Sequence, residues 1–344
     1  VFNTAVKPID EEISKILHGQ STPRSWFADP SHLKKLVAAS GAGASFCDYN
    51  NDGRLDLFFV TGNGAAGLFE QKADGHFQDV TRKTGLAETP LQGTTCAWGD
   101  YDNDGWADLL VAGYGEIHLF RNNQGKFKDV TQSVGISRSL RPQTWATGAA
   151  FADIDHDGDV DIDVTCLVDL TALPVKTEIQ FPDDFPAQAN LLFQNNSDGT
   201  FKEIAAQADV AASNLRARSV WFSDVNEDRA IDLVLYDLSG KPQLFLNNKD
   251  GKFIESHSAP EGLPGALPLG ESRAYGDFNG DGAVDELIVR SNNAVVLNQN
   301  ETKPAHWLKV RLEGYAIPGK VKSNRLGIGT KVEVRSVGQW ERKE

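Results

Sequence analysis

Short, nearly unbroken apolar runs set the rhythm of this chain. Leu57, Phe58, Phe59 and Val60 form one and Leu109, Leu110 and Val111 another; their length and composition predict strands buried on both faces. Later in each interval comes a second signature. Leu68 and Phe69 lead through Gly75 to Phe77 and Asp79, and Leu119 and Phe120 lead through Gly125 to Phe127 and Asp129. Weaker copies run from Leu192 to Phe201 and from Leu244 to Phe253. A glycine turn between two short aromatic-rich runs reads as a hairpin. Four strands in about 50 residues match one blade of a β-propeller.

Before each apolar run stands a polar loop of fixed pattern, an aspartate at positions 1, 5 and 9, Asp or Asn at position 3, and usually glycine at position 6. The copies are Asp48, Asn50, Asp52, Gly53 and Asp56; Asp100, Asp102, Asp104, Gly105 and Asp108; Asp153, Asp155, Asp157, Gly158 and Asp161; Asp224, Asn226, Asp228, Arg229 and Asp232; and Asp277, Asn279, Asp281, Gly282 and Asp285. First aspartates are 52, 53, 71 and 53 residues apart. Two residues before each stands an aromatic, Phe46, Trp98, Phe151, Phe222 or Tyr275. The long interval contains Pro174, Pro182 and Pro186 and reads as an insertion between strands of the third blade.

Alternating carboxylates in a tight loop suit calcium, which takes six to eight oxygen ligands in flexible geometry; magnesium demands a near-ideal octahedron. Positions 1, 3, 5 and 9 would supply side-chain oxygens. Position 7 would supply a backbone carbonyl, at Arg54, Trp106, Asp159 and Ala283. Aspartate, asparagine and glycine are also ordinary turn residues, but five copies in register with matching flanks favour four or five bound Ca2+ ions. The loop 224–232 should be weak or empty, because Arg229 occupies the place where glycine wraps the chain. Equivalent, repeated sites point to a structural role for the ions.

The expected architecture is all-β, a propeller of four-stranded blades, with five clear copies and a total of up to seven. Residues 1–40 form a helical N-terminal segment, 41–300 the propeller and 301–344 a further β segment. Ile9, Ile13, Ile16 and Leu17 have helical spacing, so this helix either docks on a neighbouring protein or packs on its own propeller. Ser25, Trp26, Phe27, Ala28 and Asp29 resemble an outer strand that could close the ring.

The formal charge of −14 argues against nucleic-acid binding, and no apolar stretch is long enough for a membrane span. Five divalent ions would offset most of that charge. Cys47, Cys96 and Cys166 lie in apolar, strand-like surroundings and read as small buried hydrophobes. The chain starts at Val1 without a signal-type segment, as a processed chain or fragment would.

The repeats resemble the FG-GAP/VCBS repeats of integrin-type propellers. His306 to Gly314, then Ser323, Asn324, Arg325, Leu326, Gly327, Ile328 and Gly329, resemble the start of an ASPIC/UnbV domain, as in the cartilage acidic protein family. Leu326 replaces an acid common there, and the chain ends at Glu344 before that family's usual glycine-rich ending. The resemblance implies a secreted, cell-surface or periplasmic protein used for adhesion or partner binding.

The residues themselves show no catalytic constellation. The histidines His18, His32, His76, His118, His156, His257 and His306 are scattered, with no metal or nucleophile motif among them. The expectation is therefore a non-enzymatic module binding an extracellular protein or glycan. Alternatives are a lectin-like propeller presenting Trp106 or Trp145, an accessory subunit of a larger extracytoplasmic assembly, and, with less support, a polysaccharide-acting enzyme.

Overall fold

The computed structural model describes residues 9–256 and 269–302, a few separate positions beyond them, and the strands Val332–Ser336 and Gln339–Lys343. Each apolar run becomes the second strand of an antiparallel sheet. Blade 1 is Ala42–Cys47, Asp56–Thr61, Ala66–Gln71 and Phe77–Asp79; blade 2 is Gly93–Gly99, Asp108–Gly113, Ile117–Asn122 and Phe127–Asp129. Blade 3 is Ala146–Ala152, Asp161–Cys166, Leu191–Asn195 and Phe201–Glu203; blade 4 is Ala217–Ser223, Asp232–Asp237, Pro242–Asn247 and Phe253–Ser256. Blade 5 contributes Glu271–Gly276, Asp285–Arg290 and Val295–Asn298 among the described residues.

These five blades form the ring of a β-propeller, with first strands innermost and, in the order of blades 5, 1, 2, 3 and 4, side by side. Second strands are largely apolar on both faces, Asp163 and Thr165 of blade 3 apart, because the blades are stacked face to face. Leu109 and Val111 pack with Phe58 and Val60 of blade 1. Leu110 and Ala112 pack with Ile162 and Val164 of blade 3. At the axis, Arg218 of blade 4 donates to the carbonyls of Thr147 in blade 3 at 2.8 Å and Glu271 in blade 5 at 3.0 Å.

The seam between blades 4 and 5 is the exception. Tyr275 and Val284 are 63% and 59% exposed, whereas their repeat counterparts Phe151 and Val160 are 6% and 0% exposed against the preceding blade. Positions that are covered in blade 3 are therefore open at this seam.

The long interval is an insertion between the second and third strands of blade 3, as expected. It meets the N-terminal helices at the end of the ring opposite the aspartate loops. Helix α1 (Glu11–Leu17) is capped by Asp10 and buries Ile13 and Ile16. Thr22–Pro23 pairs with Glu178–Ile179 of the insertion. Helix α1 thus packs on its own chain, in a cluster with Trp145, Phe181 and Phe185.

One expectation is corrected. Ser25 to Asp29 does not form the outer strand of the last blade. Arg24–Phe27 is a helical turn, α2, and Asp29 caps helix α3 (Pro30–Ser40), accepting the Ser31 N–H at 2.8 Å. Asp followed by Pro is an N-cap and first-turn pair, and Trp26 and Phe27 are buried beneath the insertion.

Most of the ASPIC/UnbV-like segment lies outside the described residues. Within it, Asn324 and Ile328 exchange two hydrogen bonds, at 2.6 and 2.7 Å, and Ile328 packs against the core between blades 2 and 3.

Candidate metal centres

All five aspartate loops join the first and second strands of their blades and share one backbone course. Position 6 takes a positive φ in every copy, at Gly53, Gly105, Gly158, Arg229 and Gly282. Arg229 adopts 73° without being glycine, so the fourth loop keeps its shape at a conformational cost. The first aspartate holds the turn through backbone donors. Asp100 accepts from Asp104 N at 3.0 Å and Gly105 N at 2.8 Å, and Asp48, Asp224 and Asp277 repeat both bonds. Position 7 donates its N–H to the position-5 carboxylate, as Arg54, Trp106, Asp159 and Ala283 all do.

The last aspartate is buried and structural. One oxygen accepts the N–H at the end of the third strand, from Gln71, Asn122, Asn195, Asn247 and, in blade 5, Asn300. In blades 2 to 5 the other accepts the position-2 N–H, from Tyr101, Ile154, Val225 and Phe278. Each oxygen retains a further lone pair.

Loops 2 and 3 bring three carboxylates together. One oxygen from each of Asp100, Asp102 and Asp108 lies within 4.8 Å of the others, and Asp153, Asp155 and Asp161 repeat the arrangement. In loops 1, 4 and 5 an asparagine occupies position 3 and donates to the position-5 carboxylate, Asn50 to Asp52, Asn226 to Asp228 and Asn279 to Asp281.

Electrostatics mark the same places. Burial pushes Asp108 up to about 9, with the charges of Asp102 and Asp100 adding to it. Burial likewise pushes Asp161 to about 8, Asp56 to about 7, and Asp100 and Asp153 to about 6. Asp56 Oδ2 and Asp153 Oδ1 are buried without any hydrogen-bond partner. Oxygen-only donors, carboxylates destabilised by each other and orphaned buried oxygens fit a hard divalent cation.

Side-chain cations approach some loops. Arg54 pairs with Asp52. Arg121 meets Asp102 at 2.6 Å and Asp104 at 3.1 Å. In loop 4, Lys249 Nζ donates to the Asp228 carbonyl at 2.6 Å and lies 3.4 Å from its Oδ1. Loop 3 is built differently: Asp159 is buried, with its carboxylate bonded to Asn103 and Ser197.

The repeated amide at the third-strand end escaped the sequence reading. Its Nδ2 or Nε2 ties neighbouring blades together, from Asn122 to Tyr49 O, Asn195 to Tyr101 O, Asn247 to Ile154 O and Gln71 to Phe278 O, at 2.7–2.8 Å. The signal was present as Leu-Phe-x-Asn or Leu-Phe-x-Gln in four blades.

The FG-GAP-like repeat profile matches residues 48–111, 100–164 and 224–288, more than half of the chain. The chain belongs to the FG-GAP-like repeat family. It is 26% identical over 289 residues to cartilage acidic protein 1 of Xenopus tropicalis, covering 77% of this chain and 41% of that protein. With the Mus musculus protein of that name it is 21% identical over 245 residues, covering 64% of this chain and 34% of the relative. The chain thus spans about two fifths or less of these relatives' length.

Among solved structures, an Agrocybe aegerita lectin that recognises non-reducing terminal N-acetylglucosamine aligns with TM-score 0.37 and 17% identity, over 72% of this chain and 60% of the lectin. A V. cholerae biofilm matrix protein aligns with TM-score 0.32 and 13% identity, over 80% of this chain and 42% of that one.

The aromatic candidates separate. Trp145 is fully buried, stacked on Phe181 at 5.9 Å, and cannot present itself to a sugar; Trp106 is half-buried at the second loop. His156 is exposed. The structure also brings together a pair that sequence spacing hid: His118 Nδ1 lies 2.7 Å from Asp129 Oδ2 on adjacent strands of blade 2. The three cysteines are free. No helix among the described residues is long and apolar enough to cross a membrane.

Proposed function

We propose that this FG-GAP propeller is a calcium-stabilised, extracytoplasmic binding module without catalytic activity. The convergence of Asp100, Asp102 and Asp108 within 4.8 Å carries the reading. Three carboxylates in one partly buried loop repel one another, and a Ca2+ ion would both neutralise them and pin the first strand to the second. Asp153, Asp155, Asp157 and Asp161 would hold a second ion, with further ions in the loops of Asp48, Asn50, Asp52 and Asp56 and of Asp277, Asn279, Asp281 and Asp285. Arg121, with its exposed end, would yield to the incoming cation.

These loops fasten each blade to itself and share one backbone course, as a scaffold requires. Likeness to cartilage acidic protein 1 supports a place outside the cytoplasm, at a cell surface, in a matrix or in a periplasm. Partner binding through the ring's loops is the role such a scaffold serves.

Metal counting on purified protein, with thermal unfolding before and after chelation, tests this. Four or five bound calciums and a Tm lowered by chelation are expected, because ions that bind only the folded state stabilise it by mass action. A metal-free protein indifferent to calcium would remove the proposal.

A further inference from the structure

On the side of the ring away from the aspartate loops, a cavity of about 560 Å³ opens over blade 3, between the connection that leads into it and its insertion. Arg138 and Arg141, from the connection between the blades, line it together with Asn190 at the end of the insertion and Glu203 at the outer edge of blade 3. Asn190 is 1% exposed, and its Oδ1 accepts the Cys166 N–H at 2.8 Å. That bond fixes the amide orientation and leaves Nδ2 buried with no acceptor. A buried donor left without a partner is unfavourable, so an acceptor brought by a ligand would be bound with advantage.

The two arginines add charge to this demand. Arg138 and Arg141 are exposed at the cavity's rim and, like several other arginines, hold no carboxylate among the described residues. The cavity also offers acceptors. Glu203 Oε1 takes the Ala205 N–H at 2.7 Å and Asp169 Oδ1 takes the Thr171 N–H at 2.8 Å, which leaves each carboxylate with capacity for a ligand hydroxyl.

Donors with positive charge beside carboxylate acceptors select a ligand that carries both an anionic group and hydroxyls. We propose that this cavity binds a sugar acid, with its carboxylate on Arg138 and Arg141, a ring or hydroxyl oxygen on Asn190 Nδ2, and a hydroxyl donating to Glu203. A neutral sugar leaves the arginines unpaired, and a simple phosphate brings no array of hydroxyls to Glu203 and Asp169. The site rests on the reading of the propeller as a binding module and names one ligand class for it.

Calorimetry and saturation-transfer NMR on the full, calcium-supplied chain test the site with D-glucuronate, D-glucose and inorganic phosphate as probes. Glucuronate should bind at least about tenfold more tightly than either of the others, because charge-assisted bonds to arginine are added. The double variant Arg138→Gln/Arg141→Gln should lose about tenfold or more in glucuronate affinity. Asn190→Asp, which keeps the acceptor for Cys166 and removes the donor, should weaken it further. Circular dichroism and Tm establish that each variant is folded. Folded protein that ignores glucuronate up to about 20 mM, or binds it equally without the arginines, overturns the site. Metal content and chelation response, read on the same samples, report separately on the calcium scaffold.

Discussion

The Asn122 side chain of blade 2 donates through Nδ2 to the Tyr49 carbonyl of blade 1 at 2.8 Å, and to the Ala107 carbonyl of its own blade at 2.9 Å. One buried amide therefore fastens an aspartate loop to the blade beside it. Replacing Asn122 with Leu strands two buried carbonyls and should cost about 1–3 kcal/mol in denaturant unfolding. Asn300→Leu makes the contrast. Among the described residues Asn300 Nδ2 meets only the Val284 carbonyl of its own blade, at 3.2 Å, on the exposed seam, so the change should cost less than about 1 kcal/mol. Equal losses would show that the inter-blade bond contributes nothing.

The fourth loop carries its own cation. Lys249 sits over Asp228 where a divalent ion would need that carboxylate, and Arg229 holds a φ of 73° that glycine adopts freely. Arg229→Gly should stabilise the protein by about 0.5–1 kcal/mol. Lys249→Met should tighten the weakest calcium site in a calorimetric titration and leave the other sites unchanged. A wild-type titration with every site equally tight would contradict this account.

What could be read from the sequence was what is local. The nine-residue loops and apolar runs lie within one strand connection, so their spacing alone gave the blade and the carboxylates that Asp100, Asp102 and Asp108 bring together. Features that depend on neighbouring blades were hidden. The Asn122 amide looks like any polar residue at a strand end until Tyr49 of the next blade is placed beside it. His118 and Asp129 meet only through the register of the third and fourth strands. Trp26 and Phe27 imitate an outer strand, and it is Asp29 with Pro30, a helix start, that decides against it.

Asp163 stands in the second strand of blade 3 where the repeat has Phe58, Leu110, Val234 or Leu287 in the other blades. It is fully buried, and neither oxygen has a hydrogen-bond partner. Such a group disfavours the folded state whichever protonation form it takes. Asp163→Val should raise stability by about 1–3 kcal/mol, seen as a higher Tm and a higher denaturant midpoint at an unchanged m-value. A destabilised variant would show that Asp163 is satisfied by a group such as bound water.

Protein stripped of divalent ions should lose stability as pH rises, the reverse of most acidic proteins. Burial pushes Asp108 up to about 9 and Asp161 to about 8, with neighbouring carboxylates adding to the effect, from an ordinary value of 3.8. Between these limits the folded state binds more protons than the unfolded one, so unfolding releases protons and is favoured as pH increases. The penalty is absent below about pH 4 and complete only above about pH 9. Calcium reverses the slope, because an ion needs the deprotonated carboxylates and competes with their protons. The gap in Tm between calcium-loaded and resin-stripped protein should therefore be small at pH 5 and wide at pH 8. Parallel Tm profiles for the two forms would mean that the buried aspartates do not hold the ion, and that the loops are turns whose carboxylates serve only the backbone.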